Sequence, residues 1–223
     1  MSTDPDRRRR VRAVVFDLDG VIVDSFDVMR AAFTAAYAEV VGPGPAPFAE
    51  YNRHLGRYFP DIMRTMGLPL EMEGPFVRES HRLAHRVTLY DGVVETVTAL
   101  RDRGLGLAVA TGKSGPRARS LLGGLGVLDL FDHVIGSDEI PRPKPAPDIV
   151  EHALALLGER SADAMMVGDS VADLASARAA GVTAVAALWG ETDPAALLRE
   201  RPDHALRSPA ELLAWCPAPV SGG

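Results

Sequence analysis

Residues 11–24 read VRAVVFDLDGVIVD, and this stretch decides the fold class. Its apolar, β-branched run ends at Phe16 and has charged residues on both sides, which is typical of a buried strand. Asp17 and Asp19 follow the run directly, and Gly20 then allows the chain to turn. The pattern predicts a buried strand whose carboxyl end carries acidic side chains.

Further apolar runs of strand length follow along the chain, at residues 105–110, 133–135, 164–167 and 183–188. Segments of helical character separate them, and this alternation predicts an α/β fold with a parallel sheet and right-handed crossovers. Helices are predicted at residues 116–125, 148–157 and 171–180. Gly181 is expected to end the last of these helices in a left-handed conformation.

Residues 25–90 have a different pattern, with no signal for a buried strand and with apolar residues at helical spacing. The sequence GPGPAP at residues 42–47 interrupts this helical pattern. A crossover between parallel strands needs only about a dozen residues, so the stretch is predicted to be a helical insert.

The composition of the chain indicates which kinds of binding partner are not expected. The chain has 223 residues, 47% of them hydrophobic, and a net charge of −6, which argues against a nucleic-acid-binding surface. No apolar stretch follows the basic leader at Arg7 to Arg10, so we expect a solvated tail and no membrane association. Cys216 is the only cysteine and cannot form an internal disulfide, and the cytoplasm is the expected compartment. The sequence gives no prediction of oligomeric state.

Polar residues and glycines follow several of the predicted strands. Ligands of parallel α/β sheets bind beyond the carboxyl ends of the strands, so these residues are expected to form one site. They are Asp17, Asp19, Thr111, Gly112, Lys144, Gly168, Asp169 and Asp173.

Carboxylates at the first and fourth predicted strands favour a magnesium site, because Mg²⁺ prefers oxygen ligands and combines one or two carboxylates with substrate phosphate. Asp17 and Asp169 are the predicted carboxylate ligands, and Asp19 is expected to contribute its backbone carbonyl. Asp173 is a further candidate ligand, although its spacing from Ser170 also fits a helix capping box. An EF-hand calcium loop is excluded because Val21 and Val23 occupy positions that need oxygen ligands.

The segments FDLDGVIVD, VATG, RPKPAPD and VGDSVAD occur in this order along the chain. Together they resemble the motifs of haloacid dehalogenase superfamily phosphohydrolases. The resemblance implies a Rossmann-like parallel core, here residues 1–24 and 91–223, with residues 25–90 as a mobile helical cap. It also implies a Mg²⁺-dependent enzyme acting on a small-molecule phosphate ester.

The same resemblance assigns roles to individual residues. Asp17 is implied to attack phosphorus and form an aspartyl phosphate, with Asp19 as the general acid and then the general base. Thr111 and the backbone amides of Gly112 and Lys113 are implied to bind phosphoryl oxygens. Lys144 is implied to neutralise charge near Asp17.

Within the superfamily, the presence of Asp19 disfavours dehalogenation, and the absence of a cap lysine disfavours phosphonatase chemistry. A sugar phosphomutase resembling β-phosphoglucomutase stays open, as does a catalytically inactive scaffold or binder. Loss of the nucleophile, the lysine or the metal aspartate would mark an inactive member, and the chain retains all of them.

Substrate selection is expected to lie in the cap, where Gly56 would let the chain turn towards the core and present Arg57 and His54. The cap, ATGKSGPRARSLL and LWGETDP also resemble phosphatases associated with 3-amino-5-hydroxybenzoate (AHBA) formation in ansamycin-type antibiotic pathways. This resemblance implies a sugar or amino sugar phosphate as substrate. A housekeeping enzyme resembling phosphoglycolate phosphatase is the alternative.

Overall fold

A parallel six-stranded sheet forms the centre of the protein, whose computed structural model describes residues 11–216. Its spatial order is β5-β4-β1-β6-β7-β8, so the first strand of the chain lies inside the sheet. The strands are β1 (Ala13–Phe16), β4 (Gly106–Thr111), β5 (His133–Gly136), β6 (Ala164–Gly168), β7 (Thr183–Ala187) and β8 (His204–Leu206). The predicted α/β fold class is confirmed, and the basic run at residues 7–10 lies outside the described residues.

Strand β1 is apolar at every position because both of its faces are covered. Its residues are 0–4% exposed, and it pairs in parallel with β4 on one side and β6 on the other. In this register Phe16 lies beside Val109 and Val167. The carboxyl ends of three adjacent strands therefore meet at one edge of the sheet, where Asp17 and Asp169 begin their loops.

Helices pack on both sides of this sheet. They are α5 (Val93–Asp102), α6 (Gly115–Gly124), α7 (Asp148–Leu157), α8 (Val171–Ala180) and α9 (Pro194–Arg199). The structure confirms the predicted helices near residues 116–125, 148–157 and 171–180. Gly181 ends α8 with φ 73°, in the predicted left-handed conformation.

Residues 26–86 form the helices of the insert. They are α1 (Phe26–Val40), α2 (Phe48–Asn52), α3 (Phe59–Met66) and α4 (Glu73–Arg82), followed by a 3-10 turn at Ala84–Arg86. Their buried apolar side chains form a cluster of their own, in which Phe33 stacks on Tyr51 and Phe59 stacks on Phe76. This separate cluster agrees with our division of the chain at residues 25–90, which stays a prediction.

The structure contains elements that were not predicted from the sequence, among them β2 (Val23–Asp24), β3 (Thr88–Leu89), β8 and α5. The short strands β2 and β3 pair in antiparallel fashion where the chain enters and leaves the insert, so the insert is not helical throughout. Strand β8 forms the edge of the main sheet, and α5 connects the insert to β4. Strands of two or three residues are too short to show an alternating pattern.

Within residues 11–216, no helix combines the length and the apolar character that crossing a bilayer needs.

Candidate active site

The loop after β1 places two carboxylates at the edge of the sheet. Asp17 is 2% exposed, and its backbone amide donates to the Val167 carbonyl on β6. Gly20 adopts φ 79°, and a Cβ there would lie 2.0 Å from Asp169 Oδ2. Only glycine therefore fits where this loop passes the Asp169 carboxylate.

Lys144 is the counter-charge of the site. Its side chain is fully buried, and Nζ donates to Asp17 Oδ1 at 2.9 Å, to Asp173 Oδ1 at 2.6 Å and to the Ala110 carbonyl at 3.1 Å. These contacts use all three ammonium donors. Burial opposes the charge, but Asp17 and Asp173 outweigh it and raise the pKa of Lys144 above its usual value.

Asp17, Asp169 and Asp173 form a buried acidic cluster. One oxygen from each lies within 4.8 Å of the others. Burial and the charge of Asp173 raise the pKa of Asp17 to about 7, and burial with the same neighbour raises the pKa of Asp169 well above its usual value. A single ammonium group faces three carboxylates, so a divalent cation fits the charge and the oxygen donors of this cluster.

The two carboxylate oxygens of Asp173 make different contacts. Its Oδ2 accepts hydrogen bonds from the backbone amide and the hydroxyl of Ser170, while Ser170 Oγ accepts from the Asp173 amide. This is the capping box that the sequence offered as the alternative to a metal ligand. Its Oδ1 meanwhile faces Lys144, so the capping contacts and a place in the acidic cluster coexist in one side chain.

Asp19 lies in a different electrostatic environment. Its Oδ1 accepts from Ser25 Oγ at 2.6 Å, and its Oδ2 pairs with Lys113 Nζ at 3.2 Å. Burial acts to raise the pKa of Asp19, but Lys113 and the Ser25 hydrogen bond outweigh burial and lower it. The carboxyl group of Asp19 is not part of the acidic cluster. The pKa is therefore raised for Asp17 and lowered for Asp19, although both lie in the same loop.

The loop after β4 forms one wall of a cavity of about 50 Å³ that contains Asp17 and Asp19. Thr111, Gly112 and Lys113 line this cavity, as the sequence analysis expected for a phosphoryl site. The Lys113 amide donates to Thr111 Oγ1 at 3.1 Å. That amide is therefore already used within the loop.

The insert supplies the opposite wall. Gly56 adopts φ 81°, and a Cβ there would lie 2.1 Å from Ser170 Oγ. The carbonyls of Gly56 and Arg57 approach Gly112 so closely that a Cβ on Gly112 would lie 2.8 Å and 2.6 Å from them. Arg57 lines the cavity, whereas His54 is not among its lining residues.

Two further charged residues that line the cavity, Glu191 and Arg117, were not predicted from the sequence. Glu191 follows β7 and accepts from the amide and hydroxyl of Ser25, at 3.1 Å and 3.3 Å. Burial and the charge of Asp19 raise the pKa of Glu191 to about 8. Arg117 on α6 also lines the cavity. Glu191 follows the end of a strand closely, and this position could have indicated from the sequence that it belongs to the site.

Comparison with known proteins agrees with this geometry. A family model described as haloacid dehalogenase-like hydrolase matches residues 11–181. The chain belongs to the haloacid dehalogenase-like hydrolase family. The match includes β1, β4 and β6 and therefore Asp17, Thr111 and Asp169, the residues that the edge of the sheet brings together.

Relatives of this hydrolase include phosphatases. It is 31% identical to pyrophosphatase PpaX from Bacillus pumilus, covering 92% of this chain and 95% of the relative. It is 34% identical to a phosphoglycolate phosphatase from Chromobacterium violaceum, covering 85% of this chain and 90% of the relative. A haloacid dehalogenase-like hydrolase from Streptococcus pneumoniae has the same fold, with a TM-score of 0.76, 25% identity, and 92% and 98% of the two chains covered. The chain is therefore an enzyme of the phosphatase type.

Proposed function

We propose that this protein hydrolyses a small phosphate monoester in a Mg²⁺-dependent reaction through an aspartyl phosphate on Asp17. The observation that carries the proposal is the position of Asp17, which belongs to the acidic cluster, contacts Lys144 and shares a cavity with Asp19. A nucleophile, a counter-charge and a separate proton-transfer group are the parts that such a reaction needs.

Asp17, Asp169 and Asp173, with the Asp19 carbonyl, would hold the cation, and Mg²⁺ supplies charge neutralisation at the phosphoryl oxygens. Lys144 favours the ionised form of Asp17 and orients its carboxylate. Asp17 Oδ forms the new bond to phosphorus, the bond from phosphorus to the leaving oxygen breaks, and that oxygen takes a proton from Asp19.

Asp19 then has the opposite task. In the second step its carboxylate takes a proton from water, whose oxygen attacks phosphorus and releases phosphate and free Asp17. Lys113 and Ser25 lower the pKa of Asp19, which favours this base form. A bound phosphate ester places negative charge beside Asp19 and raises its pKa, which favours the acid form needed in the first step.

The test is phosphate release by the purified full chain with Mg²⁺, beside the variant Asp17→Asn. We expect the variant and the chelated wild type to lose activity, and added Mg²⁺ to restore the wild type only. Asp27→Asn is the matched control, because Asp27 lies exposed on α1 and pairs with Arg30. Activity retained in Asp17→Asn would refute the assignment of the nucleophile.

Two substrates are candidates within this function. Phosphoglycolate is favoured by the relative named phosphoglycolate phosphatase, which is 34% identical. A sugar or amino sugar phosphate of AHBA biosynthesis is favoured by the resemblance in the cap and in LWGETDP. Relative kcat/KM values for phosphoglycolate, hexose phosphates and amino sugar phosphates decide between these two substrates. Transfer of the phosphate group within a sugar, without release of inorganic phosphate, would indicate a phosphomutase.

A further inference from the structure

A second and larger cleft lies beside the cavity that contains Asp17. Its volume is about 280 Å³. Helix α1 and the end of α4 form one side of it, and α6 forms the other. We call it the α4–α6 cleft, and its lining residues include Ser25, Ser80, His81, His85, Lys113 and Arg117.

The cleft and the cavity share part of their walls. Met29, Lys113 and Arg117 line both of them. The cavity is the smaller of the two, with about 50 Å³ against about 280 Å³. A leaving group that extends out of this cavity passes Lys113 and Arg117 and enters the α4–α6 cleft.

The ionisable side chains on the cleft walls are all basic. Lys113, Arg117, His81 and His85 contribute basic groups, and no aspartate or glutamate is among the described residues that line the cleft. This is unusual in a chain with a net charge of −6. A cleft lined by basic groups raises the local concentration of anions and favours anionic ligands.

Arg117 is a basic residue of this cleft that has no anionic partner among the described residues. Its guanidinium lies 5.7 Å from the centre of the Phe76 ring on the insert, and within residues 11–216 it takes part in no salt bridge or side-chain hydrogen bond. The nearby Asp19 is already paired with Lys113 and Ser25. Arg119, two residues further along α6, pairs with Glu139 at 2.8 Å.

Arg117 is partly buried. A partly buried guanidinium that lacks an anionic partner is costly, and the cost is offset when an anion binds to it. Arginine presents its donors in a planar fork that fits carboxylate and phosphate groups. Arg117 has this unsatisfied fork at the boundary between the catalytic cavity and the α4–α6 cleft.

We propose that the substrate is a phosphate ester whose leaving group carries a second anionic group, a carboxylate or a phosphate, and that Arg117 binds this group at the α4–α6 cleft. Arg117 is thus a residue that determines specificity. The inference rests on the proposed phosphatase function, and it adds a requirement for the leaving group.

The test compares substrates that have this second charge with one that lacks it. Phosphoglycolate against ethyl phosphate tests a carboxylate, and ethylene glycol bisphosphate against ethyl phosphate tests a second phosphate. We expect the wild type to prefer at least one anionic substrate in kcat/KM. Arg117→Gln should reduce that preference by about 10- to 100-fold, the effect of losing a hydrogen bond to a charged group.

Arg117→Lys keeps the charge and should retain part of the preference, while Arg119→Gln, the same substitution on the same helix, should retain all of it. The ratio of two substrates does not depend on the amount of folded enzyme. An equal loss on charged and neutral substrates, or no preference in the wild type, would overturn the role of Arg117 and leave the phosphatase function intact. No phosphate release from any ester, p-nitrophenyl phosphate included, would overturn both.

Discussion

Gly112→Ala tests whether the insert must lie against the core during turnover. In the structure, a Cβ on Gly112 would lie 2.6 Å from the Arg57 carbonyl oxygen. An ordinary C···O contact is about 3.3 Å, so the Gly56–Arg57 loop would have to move away by about 0.7 Å. Gly112 is not among the residues with positive φ, so alanine keeps the backbone conformation and the amide.

The substitution therefore adds one methyl group between insert and core and removes no functional group. Overpacking of this kind costs about 1–3 kcal/mol, which corresponds to a fall of about 5- to 150-fold in kcat/KM if the closed arrangement is the active one. The assay is steady-state phosphate release on p-nitrophenyl phosphate and on the preferred substrate, with thermal unfolding as the check on folding.

Gly123→Ala is the matched control, because Gly123 lies in α6 and its added Cβ would make only an ordinary contact, 3.9 Å from Leu128. It should leave kcat/KM unchanged and stabilise the helix by at most about 1 kcal/mol. Unchanged kcat/KM in Gly112→Ala would refute the reasoning, since the Gly56–Arg57 loop would then not need its observed position for catalysis.

Three further substitutions test the charges of the site. Lys144→Met leaves Asp17 and Asp173 buried without their counter-charge. The substitution should therefore lower the free energy of unfolding by about 3 kcal/mol, measured by urea unfolding at neutral pH without added metal. A change below about 1 kcal/mol would contradict this. Asp169→Asn should raise the Mg²⁺ concentration for half-maximal activity by about tenfold or more, and an unchanged Mg²⁺ titration would remove Asp169 from the ligands. Arg57→Ala should alter the relative kcat/KM between substrates, whereas an equal loss on every substrate would place Arg57 in the core chemistry.

Much of the fold could be predicted from the sequence because its signals are local. A buried parallel strand is apolar at successive positions, and β1, β4, β6 and β7 all have this pattern. The helices α7 and α8 have the predicted bounds. The strands β2, β3 and β8 are held by pairing with distant partners, and their few residues carry no pattern of their own.

The acidic residues at the sheet edge were predictable for a related reason. Residues that follow adjacent parallel strands must lie together once the strands pair, so the order of motifs along the chain implies that Asp17, Thr111 and Asp169 share an edge. The dual contacts of Asp173, with Ser170 and with Lys144, needed coordinates, because spacing alone fits either a capping box or a ligand.

The sequence by itself determined the α/β class, the strand ends that carry the site and the helical character of the insert, because each is fixed by periodicity or by position next to a strand. Only the tertiary structure decided which distant groups meet. Ser25 contacts Glu191 across 166 positions of the chain, and Arg117 of the core lies over Phe76 of the insert. Periodicity shows that a face is buried but not what packs against it, so these contacts depend on how insert and core pack together.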